Sequence, residues 1–309
     1  MTAASAAVAT ALPEFRAAGT DLSERRRSGV SCGPIVDLAA GPGTIGINWS
    51  ADGAARIGAF TTIAAIASDA RLAEAYPSIA ASAAGLATPQ IRQTATLGGN
   101  LAQRSRCWYY RNPQIGCFKK GGSDCPARSG NHLYHVAFDL GSCVAPHPST
   151  MAVALLAYDA EIATDLRRGV SIRDLLGDGS DGASDHLLMP GERIESIALP
   201  APLAGERASY KRAISRASAE WPLVELCARA VVSGGIFQHV HITAGGIAPV
   251  PLRLAASEAA LEGRPANAEA IAQAAELATS GARPLPMTGY KLDLLVGLAR
   301  DVLERIAAA

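Results

Sequence analysis

Four of the chain's six cysteines, Cys107, Cys117, Cys125 and Cys143, lie within one polar segment, and this segment constrains the fold more than any other feature. Proline and glycine residues supply repeated turns along it, so we expect a long irregular loop here. Such a loop can bring together four thiolates that are far apart in sequence. Six cysteines in 309 residues are too few for a disulfide scaffold, so the clustered thiols indicate a metal or cluster site.

The spacing of these cysteines leaves the kind of site open. The intervals contain 9, 7 and 17 residues, whereas zinc ribbons and fingers contain a pair separated by about two to four residues. The spacing of bacterial ferredoxins is also absent. Lys119, Lys120 and Arg111 would offset the negative charge of a cluster held by four thiolates. From spacing alone, an iron–sulfur cluster, another metal site and a solvent-side loop with unrelated free thiols remain alternatives.

Two glycine turns are candidates for binding an anionic ligand. AAGTDL (residues 17–22) lies between a predicted strand and a predicted helix, and TATLGGNL (residues 94–101) follows a strand-like run. Glycine lets the backbone approach a ligand closely, and backbone N–H groups at a helix start favour phosphate. Thr20, Thr96 and Asn100 add short polar side chains. Neither turn matches the dinucleotide fingerprint or the P-loop, so ordinary tight turns remain the alternative.

The order of the predicted elements indicates an α+β protein with two domains. Short strands and helices alternate through the first two thirds of the chain, and the breaker PAPLAGE (residues 200–206) follows them. The last third contains strands followed by helices. We therefore predict a first domain over residues 1–200 and a smaller α+β domain over residues 205–309.

Charge and hydropathy argue against several functional classes. The 28 basic and 28 acidic residues cancel, so the chain offers no broad attraction for nucleic acid or for an anionic membrane. It has no uncharged apolar run of about 18 residues, the length of a spanning helix. Residues 1–22 lack the basic and leucine-rich regions of a secretory signal. We therefore expect no nucleic-acid partner and no direct insertion into a membrane.

Several motifs occur in an order that resembles the FAD-binding medium subunit of molybdenum hydroxylases, the family of xanthine dehydrogenase and carbon monoxide dehydrogenase. They are AAGTDL, VDL, IGAFTTIAAI, ATPQIRQTATLGGNLAQ, HPSTMAVALLAYDAEI, SYKRA and GGIAPVPLRL, and they span nearly the whole chain. The resemblance implies an FAD-binding domain of the PCMH and CO dehydrogenase flavoprotein type over residues 1–200. A domain like the CO dehydrogenase flavoprotein C-terminal domain would follow over residues 205–309.

An insert at residues 104–143 is similar to one in the FAD subunits of bacterial aldehyde oxidoreductases, where the loop holds a [4Fe–4S] cluster. A comparable insert in 4-hydroxybenzoyl-CoA reductase leaves the subclass open. The resemblance implies that Cys107, Cys117, Cys125 and Cys143 ligate such a cluster.

The resemblance also implies an FAD site. The residues that would wrap the FAD pyrophosphate are Ala17, Ala18, Gly19, Thr20, Asp21 and Leu22. The second FAD loop would contain Thr96, Gly98, Gly99 and Asn100, with Ile91 and Leu97 near the flavin. Asp159 and Ile162 would border the cofactor, and Lys211 would lie near the isoalloxazine ring, unless the alignment slips by one residue and Arg212 takes that place.

Three departures from the family pattern concern the FAD site. Ala18 stands where the family usually has the first glycine of AGGTDL, so this turn must accommodate a Cβ atom. Thr150 stands where the family usually has an aspartate, which removes a possible flavin or ribose contact. The resemblance also implies an amino terminus shorter than the family's, without its leading strand and helix.

The implied function is electron transfer in a heterotrimeric molybdenum-dependent aldehyde oxidoreductase or xanthine dehydrogenase-type enzyme. Electrons would pass from [2Fe–2S] clusters of a small subunit to FAD in this chain and then to an external acceptor, while a large subunit carries the molybdenum cofactor. No general acid or base is expected in this chain. The alternatives are a 4-hydroxybenzoyl-CoA reductase-type FAD subunit, a structural zinc-binding scaffold and a self-contained flavin oxidase. We expect a cytoplasmic protein, or a periplasmic one exported with a signal-bearing partner.

Overall fold

The computed structural model of this protein describes residues 13–216 and 219–308. The interpretation of the chain start as lacking a secretory signal therefore falls largely outside the described residues. Within them, helices and strands form an α+β protein, so the fold class predicted from the element order is confirmed. None of the described helices has the length and apolar composition needed to cross a bilayer.

The first part of the chain carries two sheets. Strands β1 (Glu14–Arg16) and β2 (Ile35–Asp37) pair in parallel, and α1 (Leu22–Arg27) connects them. The second sheet contains β3 (Ile47–Trp49), β4 (Ala55–Gly58), β5 (Glu161–Thr164), β6 (Val170–Ser171) and β7 (Ile194–Leu199). It is antiparallel with the order β3–β4–β7–β5–β6, so strands from both sides of the cysteine segment lie in one sheet.

The helices of this part are α2 (Ile63–Ser68), α3 (Ala70–Ala75), α4 (Pro77–Gly85), α5 (Pro89–Thr94), α6 (Leu97–Leu101), α7 (Trp108–Arg111), α8 (Thr150–Ala157) and α9 (Ile172–Leu176). Every residue of α8 is buried, so this helix forms the centre of the core. Ser149 begins it, because the Ser149 hydroxyl accepts a hydrogen bond from the N–H of Ala152 at 3.1 Å.

The last part of the chain is an antiparallel sheet covered by helices. Its strands are β8 (Glu206–Ala213), β9 (Val224–Ser233), β10 (Ile236–Gly245) and β11 (Leu252–Arg253), and they pair in the order β11–β10–β9–β8. The helices α10 (Ala255–Leu261), α11 (Ala268–Leu277) and α12 (Tyr290–Ala308) follow. Helix α12 packs against β8 and β9, whereas α8 packs against β9 and β10.

Successive side chains of β9 point alternately into two different cores, so both faces of this strand are buried. Leu226 and Ala228 belong to the core that α12 completes, whereas Cys227 belongs to the core around α8. Neighbouring residues of a strand point to opposite faces. The sheet of the last part therefore lies between α12 and the core helix of the first part.

Candidate functional site

A groove of about 400 Å³ brings the two glycine turns together. Thr20 and Asp21 line it from the first turn, and Gly99 and Asn100 line it from the second. Ile91, which is 42% exposed, also faces the groove. Two segments that are distant in sequence therefore form one site of a size suited to a small-molecule ligand.

The first turn joins β1 to α1 and depends on one glycine. Gly19 has a φ of +72°, in the left-handed region that a side chain disfavours. Ala18, at the position where the family usually has glycine, is exposed and does not line the groove, so its Cβ atom has room. Leu22 is buried beneath the turn.

Asp21 ties this turn to the cysteine segment. Its carboxylate pairs with Arg25 at 3.0 Å, Arg106 at 3.0 Å and Arg111 at 2.7 Å, and it accepts the N–H of Arg104 at 3.2 Å. Burial opposes ionisation of Asp21, but the arginines outweigh burial and hold its pKa below the ordinary value. The carboxylate is thus an anchor between two segments of the site.

The second turn is built around α6. Thr96 begins this helix, because its hydroxyl accepts the N–H of Gly99 at 3.2 Å. Gly98 packs against Ala59, where an added Cβ would lie only 2.9 Å from the Ala59 methyl carbon. Asn100 accepts a hydrogen bond from the Ser149 hydroxyl at 2.7 Å. The turn is therefore fixed both to the chain before α2 and to the start of α8.

Further groove residues lie outside the two glycine turns. Gln103, Arg106, Thr150, Arg212 and Trp221 all line the groove. The Nε atom of Arg106 is buried and has no hydrogen-bond partner among the described residues. An unsatisfied guanidinium N–H in a groove wall is suited to an anionic ligand. No local pattern marks Arg106, because it reaches the groove through tertiary packing, whereas Gln103 ends the motif that contains the second turn.

Three predicted cofactor residues outside the two glycine turns lie away from the groove lining. Lys211 forms an ion pair with Asp301 of α12, whereas its neighbour Arg212 lines the groove. Asp159 pairs with Arg253 at 2.9 Å. Ile162 is fully buried in the core of the five-stranded sheet. The groove thus brings together the two glycine turns but not these three side chains.

The four cysteines of the insert line one small cavity. Cys117 and Cys143 are buried, and Cys107 and Cys125 are partly buried. The sulfur of Cys107 lies 3.2 Å from Nε2 of His135. Across the described residues, no group of three or more His, Cys, Asp or Glu side chains converges closely enough to hold a metal ion. The thiols thus surround a common space without meeting at one point.

The protonation of these thiols differs. Cys143 donates a hydrogen bond to Cys125, which lowers the pKa of Cys125 to about 6 and raises the pKa of Cys143. Burial raises the pKa of Cys107. The thiol of Cys125 therefore ionises more readily than the thiol of Cys143, and thiolates are the form of cysteine that binds metals.

The basic residues of the insert have structural partners. Lys119 pairs with buried Asp185 at 2.8 Å, and Arg104 pairs with the same carboxylate at 2.8 Å. Arg111 pairs with Asp21, and Lys120 donates to backbone carbonyl oxygens. These basic residues therefore hold the insert in place. Whether they also offset the charge of a cluster stays a prediction. Asp185 lies far along the sequence, so no motif indicated it.

Comparisons with known families cover almost the whole chain. Residues 4–202 match the FAD binding domain in molybdopterin dehydrogenase, and residues 208–306 match the CO dehydrogenase flavoprotein C-terminal domain. The chain is also similar to the aldehyde oxidoreductase FAD-binding subunit PaoB of Escherichia coli strain K12. They are 32% identical over 255 residues, which represent 80% of this chain and 79% of PaoB.

Solved structures show the same fold. Carbon monoxide dehydrogenase from Hydrogenophaga pseudoflava aligns with a TM-score of 0.73 and 23% identity, over 96% of this chain and 90% of the other. Quinoline 2-oxidoreductase from Pseudomonas putida 86 aligns with a TM-score of 0.72 and 20% identity over the same shares. With the family matches, these results identify the chain as a member of the FAD-binding subunit family of molybdopterin dehydrogenases, which are oxidoreductases.

Proposed function

We propose that this chain is the electron-transfer FAD subunit of a heterotrimeric molybdenum-dependent oxidoreductase of the aldehyde oxidoreductase type. The observation that carries the proposal is the convergence of two glycine turns on one groove, in a chain 32% identical to PaoB. The proposed partners are a large subunit with the molybdenum cofactor and a small subunit with [2Fe–2S] clusters. The complex would work in the cytoplasm, or in the periplasm after export with a signal-bearing partner.

The groove residues fit FAD. The turn at residues 17–22 and the segment Thr96–Asn100 would hold the cofactor, and Arg106, which lines the same groove, would place a positive charge beside it. Bound FAD would supply the ability to accept and release electrons. Asp21 would position the first turn, since its carboxylate is already engaged by arginines. We assign the basic position beside the flavin to Arg212, because Lys211 pairs with α12.

Four cysteine side chains line one cavity of about 10 Å³, which must widen to admit a cluster. Its donor set is four sulfurs, as in [4Fe–4S] sites. We therefore propose a [4Fe–4S] cluster held by Cys107, Cys117, Cys125 and Cys143. It would act as a further electron carrier or as a support for the insert.

Anaerobic purification with the neighbouring subunits tests the proposal. We expect the chain to co-purify with two other chains and to contain FAD and about four iron atoms. Cys117→Ser should remove about four iron atoms from the complex, because the cluster loses one ligand, whereas the iron of the [2Fe–2S] subunit and the flavin should remain. The measurement is the iron and flavin content of each purified complex.

Cys32→Ser is the matched control, since Cys32 is exposed and does not line the cysteine cavity. This variant should keep its full iron content. Zinc in place of iron would contradict the cluster, and a complex that never contains FAD would contradict the electron-transfer role. Turnover by the isolated chain, without partners or molybdenum, would instead identify a self-contained flavin oxidase.

A further inference from the structure

A second cavity, of about 610 Å³, adjoins the FAD groove. Arg106, Pro148, Glu220, Trp221 and Pro222 line both spaces, so they share a wall. Cys107 lines this cavity and also the cysteine cavity. A ligand here would therefore lie next to both proposed redox centres.

Aromatic side chains form much of the cavity wall. The Trp108 ring contacts the Tyr134 and His135 rings edge-on, each with a centroid distance of 5.7 Å. The guanidinium carbon of Arg106 lies over the face of the Trp221 ring, 4.6 Å from the ring centroid. Both tryptophans are partly exposed although they line a cavity. Flat aromatic walls of this kind suit a planar ring.

Polar and charged side chains also line the cavity, among them Arg216, Glu220, Glu225 and His147. His147 is only 7% exposed, and neither of its ring nitrogens has a hydrogen-bond partner among the described residues. Burial lowers the pKa of His147 to about 4, so the ring is neutral and offers one N–H donor. Such a buried donor is costly unless a ligand satisfies it.

Lys291 supplies a second donor at the same cavity. It is 1% exposed, and its ammonium donates to the carbonyl oxygens of Gly246 at 2.6 Å and Tyr134 at 3.2 Å. Burial lowers the pKa of Lys291 to about 7, so the ammonium and the neutral amine are both present at neutral pH. The ammonium has three N–H groups and keeps one for a ligand beside these two contacts. Hydrogen-bond donors thus meet aromatic walls in this cavity.

We propose that this cavity binds a quinone, with its ring against Trp108 and Trp221 and its carbonyl oxygens facing His147 and Lys291. A quinone combines the two features that the wall recognises, a planar ring and carbonyl acceptors. The acceptor role rests on the proposed function. Reduction of a quinone to its hydroquinone takes up two electrons and two protons, and reduced flavin is the reductant that the proposed function supplies.

Intrinsic fluorescence tests the binding directly. Trp49 stacks with Tyr76 and does not line the cavity, so Trp49→Phe leaves the two cavity tryptophans as reporters. Menadione should quench them with saturation, in the full chain both without and with FAD. His147→Phe should weaken menadione binding about tenfold, because it removes one hydrogen-bond donor and keeps a ring. His239→Phe, at an exposed residue outside the cavity, should bind menadione as the Trp49→Phe parent does.

A second variant tests the same cavity independently in case His147→Phe does not fold. Trp108→Leu removes a partly exposed ring and should also weaken binding, which calorimetry can follow without fluorescence. Saturable binding that neither variant weakens would overturn the proposal, as would an absence of binding. Loss of menadione binding after loading with FAD would place the flavin ring in this cavity and also overturn it. Menadione binding by a chain that cannot hold FAD would support the site and contradict the proposed function instead.

Discussion

Gly98 lies where α6 packs against the chain that enters α2, and it has no room for a side chain. Its N–H donates to the carbonyl of Ala59 at 2.8 Å, and an added Cβ would lie 2.9 Å from the Ala59 methyl carbon and 3.2 Å from this carbonyl oxygen. The close approach holds the second glycine turn at the groove. Position 98 therefore requires glycine because α6 packs closely against Ala59.

Gly98→Ala should destabilise the protein by about 1–3 kcal/mol, because the methyl group must displace the backbone or Ala59. The measurement is the free energy of urea unfolding, with circular dichroism as the signal. Gly41→Ala is the control, since a Cβ at Gly41 meets nothing within 4 Å. Equal stability of the two variants would show that α6 can move away from Ala59 without cost.

Glu192 shows how one buried charge makes stability depend on pH. Its side chain is 0% exposed, and it pairs with Arg167 at 2.7 Å and accepts the Thr164 hydroxyl at 2.6 Å. The hydrogen bond from Arg167 lowers the pKa of Glu192 from 4.5 to about 2. The stabilisation is therefore fully present above about pH 4.5, and it is lost as the pH falls through the folded-state value of about 2.

Glu192→Gln should remove this part of the acid sensitivity. We expect the wild type to lose unfolding free energy relative to the variant between pH 5 and about pH 2, with the variant less stable at pH 7. The measurement is a series of urea unfolding curves for both proteins across this range. A constant difference between the two curves would mean that Glu192 does not titrate with folding.

At the level of the elements, residues 63–85 form three successive short helices, α2, α3 and α4. Asp69 ends α2 in an extended conformation and begins α3, since its carboxylate accepts the N–H of Leu72 at 2.7 Å. Pro77 then begins α4. Both residues are typical helix starts, so the break follows local chemistry that apolar periodicity alone does not reveal.

The buried carboxylate of Asp185, which lies in the loop between α9 and β7, holds the cysteine insert in place. Asp185 pairs with Lys119 and Arg104 and accepts the N–H of Ser105 at 3.3 Å. Asp185 is almost completely buried. Burial opposes its ionisation, but the two cations outweigh this effect and lower its pKa. This contact anchors an irregular segment that has little regular structure of its own.

Asp185→Asn should loosen the insert, because Lys119 loses its carboxylate partner in a buried site. We expect a loss of about 3–5 kcal/mol in stability, the range for breaking one side of a buried ion pair. Limited proteolysis should cut first within residues 104–143. Asp181→Asn is the matched control on the exposed part of the same loop. Equal proteolysis of the two variants would rule out this anchoring role.

For the whole molecule, β9 connects the two parts of the chain. Thr243 on neighbouring β10 donates to the carbonyl of Val153 at 2.8 Å, and Cys227 of β9 lies in the core around α8. The other face of β9 packs against α12. Removal of the first part would therefore expose a sheet face that is buried in the intact protein.

A fragment of residues 205–309, the predicted second domain, should therefore be unstable alone. We expect it to aggregate or to bind the dye ANS strongly, because the face of β9 around Cys227 becomes exposed apolar surface. The measurements are size-exclusion chromatography and ANS fluorescence, with the full chain as the reference. A monomeric fragment with cooperative unfolding would show that the second domain folds independently.

The sequence determined the features that depend on local chemistry. Gly19 allows the left-handed backbone conformation of the first turn, which disfavours a side chain. Apolar periodicity predicts the strands and helices of the α+β fold. The segment that would carry the cluster was also evident, because its cysteines lie in one polar stretch. Its role as the ligand set and the domain limits at 1–200 and 205–309 remain predictions.

Only the tertiary structure decided which side chains share a site. A shift of one residue along a strand turns a side chain to the other face, and this is why Arg212 lines the groove while Lys211 pairs with Asp301. Asp185 reaches the insert from a distant loop, and no local pattern encodes such a contact. The groove and the cysteine cavity are products of long-range packing, so their geometry could not be read from spacing.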